Sequence, residues 1–345
     1  MRPFVYARAA SAQVAIETNR LPGAPNEPLP PQPHSQYLAG GTTLIDLMRL
    51  DVMQPELITD INALERTPAG LIELGPGGLW LGALVRMSQA ADHPDVASNF
   101  PVIAQSLQLA ASAQLRNMAS LGGNVLQRTR CGYFRDVSYG ACNKRIPGSG
   151  CAALDGVNRR HAVLGVSEHC IAAYPGDFAQ ALIALDAVVE IAGPSGPRRI
   201  RFAELHRRPG DSPHIETILA PGDLITGFLV PALPWAKRSV FIKVRDRESY
   251  EFALAAAAVA LDLADDGTVR EARIALGGVA TVPWRAREAE DALQGQHIGD
   301  LALQEAAERA FAGAQPRGEN AFKVELGKRT LLRAMRQAAA MEVPT

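Results

Sequence analysis

Short apolar runs broken by glycine dominate the first third of the chain. Phe4-Val5-Tyr6 reads as a strand, followed by a helix up to about residue 20. Leu57-Ile58-Thr59-Asp60-Ile61, Leu71-Ile72-Glu73-Leu74 and Leu79-Trp80-Leu81-Gly82-Ala83 have strand length, and Gly75-Pro76-Gly77-Gly78 predicts a hairpin loop between the last two. Pro101 to Ala113 sets Ile103, Leu107 and Ala110 on one helical face, with proline in the first turn. Phe178 to Ala187 predicts another helix. Val188 to Ile191 and Leu224 to Pro231 predict strands. Residues 193 to 215 are loop-rich and basic and read as a solvated face. Beyond a boundary near Pro231-Ala232-Leu233-Pro234 the pattern changes again. It predicts a strand over Ser239 to Arg245, a buried helix over Tyr250 to Leu263 and a turn at Asp265-Asp266-Gly267. A strand over Val269 to Gly277 and helices over Leu301 to Ala312 and Phe322 to Met341 follow. The fold class is α+β, with domains at 1–234 and 235–345.

The proline-dense stretch from Leu21 to Gln36 cannot hold a helix or an inner strand and predicts a surface loop. Composition adds exclusions. A chain of 345 residues, 47% hydrophobic and 21% charged, can bury more than one core. A net charge of −1 gives no global field to recruit nucleic acid or an anionic membrane. No apolar run reaches the roughly 18 residues that a spanning helix needs. The first twenty residues, interrupted by Arg8 and Glu17, lack the apolar core of a signal peptide.

Two glycine turns carry candidate chemistry. In Ala39-Gly40-Gly41-Thr42-Thr43-Leu44 a glycine turn leads into a helix with a threonine at its N-cap. Free amides there, with the helix dipole, suit a phosphate. The same pattern serves as a plain strand-to-helix turn, and it is neither a Rossmann nor a P-loop fingerprint. Ser120-Leu121-Gly122-Gly123-Asn124, preceded by Arg116-Asn117, is a second such turn. Asp177, after Tyr174-Pro175-Gly176, opens a helix as an N-cap or as an acceptor for ribose hydroxyls.

Between Ser120 and Asp177 lie Cys131, Cys142, Cys151 and Cys170, the only cysteines in the chain. Their spacings, C-x10-C, C-x8-C and C-x18-C, contain no C-x2-C pair of the zinc-ribbon kind. A [4Fe–4S] site, a mixed site with His161 or His169, two disulfides and free thiols all fit the residue types. Pro147-Gly148-Ser149-Gly150 offers amides to sulfur, and Arg128, Arg130, Lys144 and Arg145 offer countercharge to a thiolate cluster.

These motifs, taken in order, resemble the FAD-binding subunits of the molybdenum hydroxylases, the xanthine dehydrogenase and carbon monoxide dehydrogenase family. The first and second glycine turns resemble its two flavin loops. Phe241-Ile242-Lys243-Val244-Arg245 and Ala275-Leu276-Gly277-Gly278-Val279-Ala280 resemble its C-terminal domain. The resemblance implies a two-subdomain FAD-binding domain of the p-cresol methylhydroxylase and vanillyl-alcohol oxidase type, then a smaller C-terminal α+β domain. Ala39, Gly40, Gly41, Thr42, Thr43, Leu44, Ser120, Gly123 and Asn124 would hold the FAD pyrophosphate, Asp177 a ribose, and Ile225 and Lys243 would lie near the isoalloxazine. In the family an aspartate follows the second loop within about a dozen residues. Here roughly 40 residues, about 126–172, intervene, and all four cysteines fall among them. The flavin subunit of bacterial molybdenum-dependent aldehyde oxidoreductase has such an insertion with a [4Fe–4S] cluster. That implies Cys131, Cys142, Cys151 and Cys170 as ligands. The flavin subunit of 4-hydroxybenzoyl-CoA reductase and that of xanthine dehydrogenase are the alternatives within the family. A zinc- or disulfide-stabilised scaffold without flavin is the alternative outside it.

The implied activity is electron transfer in an aldehyde-oxidising enzyme. A molybdenum-cofactor subunit and a [2Fe–2S] ferredoxin-like subunit are the implied partners, with an external electron acceptor. The implied location is the periplasm by co-export with a partner subunit, with the cytoplasm as the alternative.

Overall fold

The computed structural model describes residues 1–20 and 30–342. The expected proline-rich loop lies partly outside the described residues. Among those described, the strands form three sheets. The first is parallel, in the order β1 (Val5–Arg8), β3 (Leu57–Asp60), β2 (Ser35–Leu38). A helix over Ala12–Asn19 makes the crossover from β1 and is capped by the Ser11 hydroxyl. The second sheet runs β4 (Ile72–Gly75), β5 (Gly78–Gly82), β8 (Leu224–Pro231), β6 (Val188–Gly193), β7 (Gly196–Arg201), all antiparallel. The β4–β5 hairpin pairs Gly75 with Gly78, as its glycine-proline loop predicts. The third sheet runs β12 (Trp284–Arg285), β11 (Val269–Gly277), β10 (Ala255–Leu263), β9 (Ser239–Val244), also antiparallel.

Two expectations are corrected. The basic stretch from 193 to 215 contains the edge strand β7, whose exposed arginines pair with acids: Arg198 with Asp223, Arg199 with Glu190 and Arg201 with Glu204. A charged edge discourages pairing with a further strand.

The larger correction concerns Tyr250 to Leu263. It is not a buried helix: β10 occupies Ala255–Leu263, and Ala255 to Leu261 are all buried. Alternate side chains enter different cores. Ala256, Ala258 and Ala260 join the core of the N-terminal part, built on Leu79, Phe178 and Phe228. Ala255, Ala257, Val259 and Leu261 join a second core with Ile274, Leu303 and Met335. The helix over Phe322–Ala339 packs on one face of β9 and β10, and helices over Pro101–Gln108 and Phe178–Ala184 pack on the other. A strand covered on both faces reads as a continuous apolar run, and small side chains let both layers close on it. The alanines therefore look helical by propensity, and tertiary packing overrides that propensity.

One buried cation ties the cysteine segment to the last sheet. Lys323 is fully buried, and its Nζ donates to the carbonyls of Arg160 at 3.1 Å, His161 at 3.1 Å and Gly278 at 2.6 Å. Burial draws its ammonium down to about 7. Lys323→Met would leave three buried acceptors without their donor. It is expected to lower stability by about 3 kcal/mol in urea unfolding, whereas an unchanged midpoint would show that the carbonyls find other donors.

Candidate functional site

The two glycine turns meet. A helix over Leu44–Arg49 starts at Thr43, whose side chain makes no cap hydrogen bond, so the first-turn amides are free of it. Gly41 has φ +71°, a conformation that favours glycine. The second turn is wound into a short helix, Leu121–Val125, capped by the Ser120 hydroxyl on the Gly123 amide at 3.1 Å. A Cβ at residue 40 would fall on the Met118 carbonyl oxygen, which Arg86 also holds at 2.8 Å. Glycine at 40 is thus what lets the first loop lie against the approach to the second. Together the loops wall one cleft with Gly40, Gly41, Thr43, Ser120, Gly123 and Ile225.

The cleft has a third wall that the sequence reading had only as Ile225. Residues 219–225 supply it, held by the Tyr37 hydroxyl donating to the Gly222 carbonyl at 3.0 Å. Pro221-Gly222-Asp223 repeats the Pro175-Gly176-Asp177 tripeptide, and that repetition is the signal that could have found it. Arg128 also lines the cleft.

Asn124, Asp177 and Lys243 are not on the cleft wall. Asp177 sits at the N-cap of Phe178–Ala184, yet its side chain caps nothing. Instead it accepts from Lys243 Nζ at 2.6 Å, and both side chains are almost wholly buried. Lys243 Nζ also donates to the Leu109 carbonyl at 3.1 Å, where Arg245 joins it at 2.9 Å. Burial pushes the Asp177 carboxyl above the ordinary carboxylate range, with Lys243 opposing. Asp177 Oδ1 and Asn124 Oδ1 are buried acceptors with no hydrogen-bond partner among the described residues. A buried polar atom of that kind costs free energy unless something else satisfies it.

The ends of the long interruption stay together. The Tyr174 hydroxyl donates to the Val125 carbonyl at 2.8 Å, and His206 Nε2 lies 3.2 Å from the same oxygen. The residues flanking Asn124 and Asp177 are therefore tied, although 53 positions separate the two.

Within the interruption all four thiols are free. Cys142 and Cys151 face one another across an antiparallel bridge, flanked by Asn143 N to Gly150 O at 2.7 Å and Ala152 N to Ala141 O at 2.9 Å. Cys131 packs against the apolar cluster that holds Cys142, Phe134 and Leu47. Burial pushes the Cys131 thiol up to about 12 and raises Cys151 and Cys170. Neighbouring cysteines push the same way, and backbone amides oppose: Phe134 and Tyr133 at Cys131, Ala153 and Ile171 at Cys151. The Ala172 amide donates to Cys170 Sγ at 3.4 Å. His161 Nε2 lies 3.2 Å from Cys131 Sγ. Among the described residues no three His, Cys, Asp or Glu side chains gather as ligands of one ion. Arg130 and Arg135 tie the segment to Asp46 on the helix over Leu44–Arg49, and Arg145 holds the segment's own carbonyls at Tyr133 and Phe134.

Residues 2–233 match the family of FAD-binding domains in molybdopterin dehydrogenases, and residues 240–338 match the CO dehydrogenase flavoprotein C-terminal domain. The chain is an FAD-binding subunit of the molybdenum hydroxylase family. It is 44% identical over 342 residues to the aldehyde oxidoreductase FAD-binding subunit PaoB of Escherichia coli K12, covering 99% of each chain. It is 26% identical over 314 residues to the carbon monoxide dehydrogenase medium chain of Hydrogenophaga pseudoflava, covering 89% of this chain and 90% of that one. A solved carbon monoxide dehydrogenase from the same organism shares the fold, with a TM-score of 0.73 at 24% identity over 98% of both chains. As a flavin subunit of this family, the chain is a component of an oxidoreductase.

Two outcomes follow from this geometry. Gly40→Ala drives a methyl group into the Met118 carbonyl and is expected to give folded subunit that has lost most of its visible flavin absorbance; wild-type flavin content would contradict the shared cleft. His206, wedged between Tyr174 and Phe202, is held by burial at about 4 against an ordinary 6.5. The unfolded chain takes that proton first as pH falls, so stability should drop by up to about 3 kcal/mol between pH 6.5 and 4. His206→Phe should flatten that part of the stability profile, and an unchanged slope would contradict the assignment.

Proposed function

We propose that this flavin subunit also carries a [4Fe–4S] cluster and is the electron-transfer component of a molybdenum-dependent aldehyde oxidoreductase. The carrying observation is the cysteine segment itself. Four free thiols, two of them buried and two half-buried, lie in the one segment that interrupts the flavin loop, and the Ala172 amide donates to Cys170 Sγ at 3.4 Å. A buried thiol is costly to ionise alone, and metal binding replaces its proton. Amide donors to sulfur are the second shell that thiolate clusters use. Four thiolates on a four-iron cube each take a separate iron, whereas tetrahedral zinc would draw all four sulfurs to about 2.3 Å from one centre. The cluster ligands are then Cys131, Cys142, Cys151 and Cys170.

The cleft fits FAD through its glycine loops. Ala39 to Leu44 would hold the pyrophosphate with backbone amides at a helix start, with Ser120 and Gly123 walling the same cleft; the Gly123 and Asn124 amides are already bonded to Ser120. Ile225 would bound the ring system, whereas the orphaned oxygens of Asn124 and Asp177 are buried off the cleft wall. Lys243 would hold the Asp177 carboxyl in place and oppose the upward push of its burial. When bound, FAD supplies the step between paired and single electrons, and the protein's contribution is to hold and tune it.

The near-complete match to an aldehyde oxidoreductase flavin subunit supports the remaining assignments. A molybdenum-cofactor subunit would oxidise aldehyde to carboxylic acid, and a [2Fe–2S] subunit would pass electrons to this chain. This chain would deliver them to an external acceptor. We place the assembly in the periplasm, exported by a signal on a partner. Cys151→Ser is expected to abolish the iron content of the purified subunit while leaving FAD bound. Iron at about four per chain in that variant would refute the ligand set.

A further inference from the structure

Another cavity, of about 700 Å³, shares no wall residue with the glycine cleft. It lies where the cysteine segment meets the loops at 252–254 and 278, and its size is within the range that takes small organic ligands. Its apolar surface is largely aromatic. Tyr133 and Tyr139 pack edge to face with ring centres 4.8 Å apart, and Phe252 is 39% exposed. Arg145 holds the carbonyls of Tyr133 and Tyr139, so that aromatic corner is fixed in place.

The charged part of the wall is unbalanced. Arg135 takes both oxygens of Asp46, at 2.8 and 3.1 Å, and Arg130 reaches one of them through Nη1 at 3.1 Å. Among the described residues no second acid pairs with either arginine, so one carboxylate faces two guanidiniums. Arg130 lines the cavity and stacks over the Phe252 ring at 4.9 Å. Its Nε is buried without a partner and its Nη1 is taken, yet the side chain is 23% exposed, which leaves Nη2 as the donor free for a ligand. Arg159 and Arg160, also on the wall, are matched by Asp246 and Glu251. Asp136, the only acid on the wall, is exposed and held by the Ser138 amide at 2.9 Å. A largely buried charge without full counter-charge is costly, and an anion beside it relieves that cost.

We propose that this cavity binds an aromatic carboxylate, with its ring against Phe252 and the two tyrosines and its carboxylate on Arg130. The site stands apart from the flavin cleft and does not depend on iron at the thiols. A guanidinium bonds a carboxylate by a charge-assisted hydrogen bond, so an uncharged amide of the same shape should bind more weakly.

Isothermal titration calorimetry of the purified chain with its flavin bound tests this, with 2-naphthoate as the probe and uncharged 2-naphthamide as the control. Naphthoate is expected to bind without releasing flavin, about tenfold or more tighter than naphthamide. Arg130→Gln should abolish that preference. Asp46 keeps both bonds from Arg135 in this variant, so the fold is expected to hold. Phe252→Leu should weaken both probes and keep the preference. Equal binding of the two probes, no binding of naphthoate, release of flavin by naphthoate, or an unchanged preference in Arg130→Gln would each overturn the proposal. If Arg130→Gln fails to fold, the wild-type comparison and Phe252→Leu carry the test, and naphthoate binding that Phe252→Leu leaves unmoved would overturn it.

Discussion

The carbonyl oxygen of Met118 stands where a side chain at residue 40 would begin. Everything about the cleft depends on that close approach. The first loop can lie against the second only without a Cβ at that position, and the helices at 44–49 and 121–125 then open on a common space. Arg86 fixes the same carbonyl from the other side, and the Leu121 and Gly122 amides anchor the second loop to the carbonyls of Val85 and Ala83. Position 40 is therefore a packing constraint with a binding consequence.

A second constraint joins the cleft to the C-terminal sheet. Lys243 on β9 reaches Asp177 across the interface, and the strand beside it, β10, shares its side chains between two cores. A buried ion pair is weak support for stability, because desolvation offsets most of its attraction. Its value here is position. It holds a carboxylate at the point where the interrupted loop resumes, with one oxygen still unsatisfied.

Much of this was legible in the chain. Glycine pairs followed by helix-start residues located both loops, and the proline-terminated run at 224–231 located β8. Clustered cysteines marked the module between Asn124 and Asp177. Other features could not be read locally. Ala255 to Ala258 favours helix in isolation, and only two opposing layers make it a strand. Asp177 looked like a cap because its position is one, and the lysine that claims it lies 66 residues away. Asp46 carried no signal at all, since its meaning lies in two arginines that the fold brings to it.

In the function proposed above, one continuous flavin site is interrupted to admit a second redox centre. Mössbauer spectroscopy of the iron-enriched complex, with this subunit's signal isolated by comparison with its cysteine variants, tests that claim most directly. A cubane spectrum of about four irons belonging to this chain is expected alongside bound FAD, in addition to any partner's iron. Flavin-loaded subunit with no such component, or with zinc in its place, would contradict it.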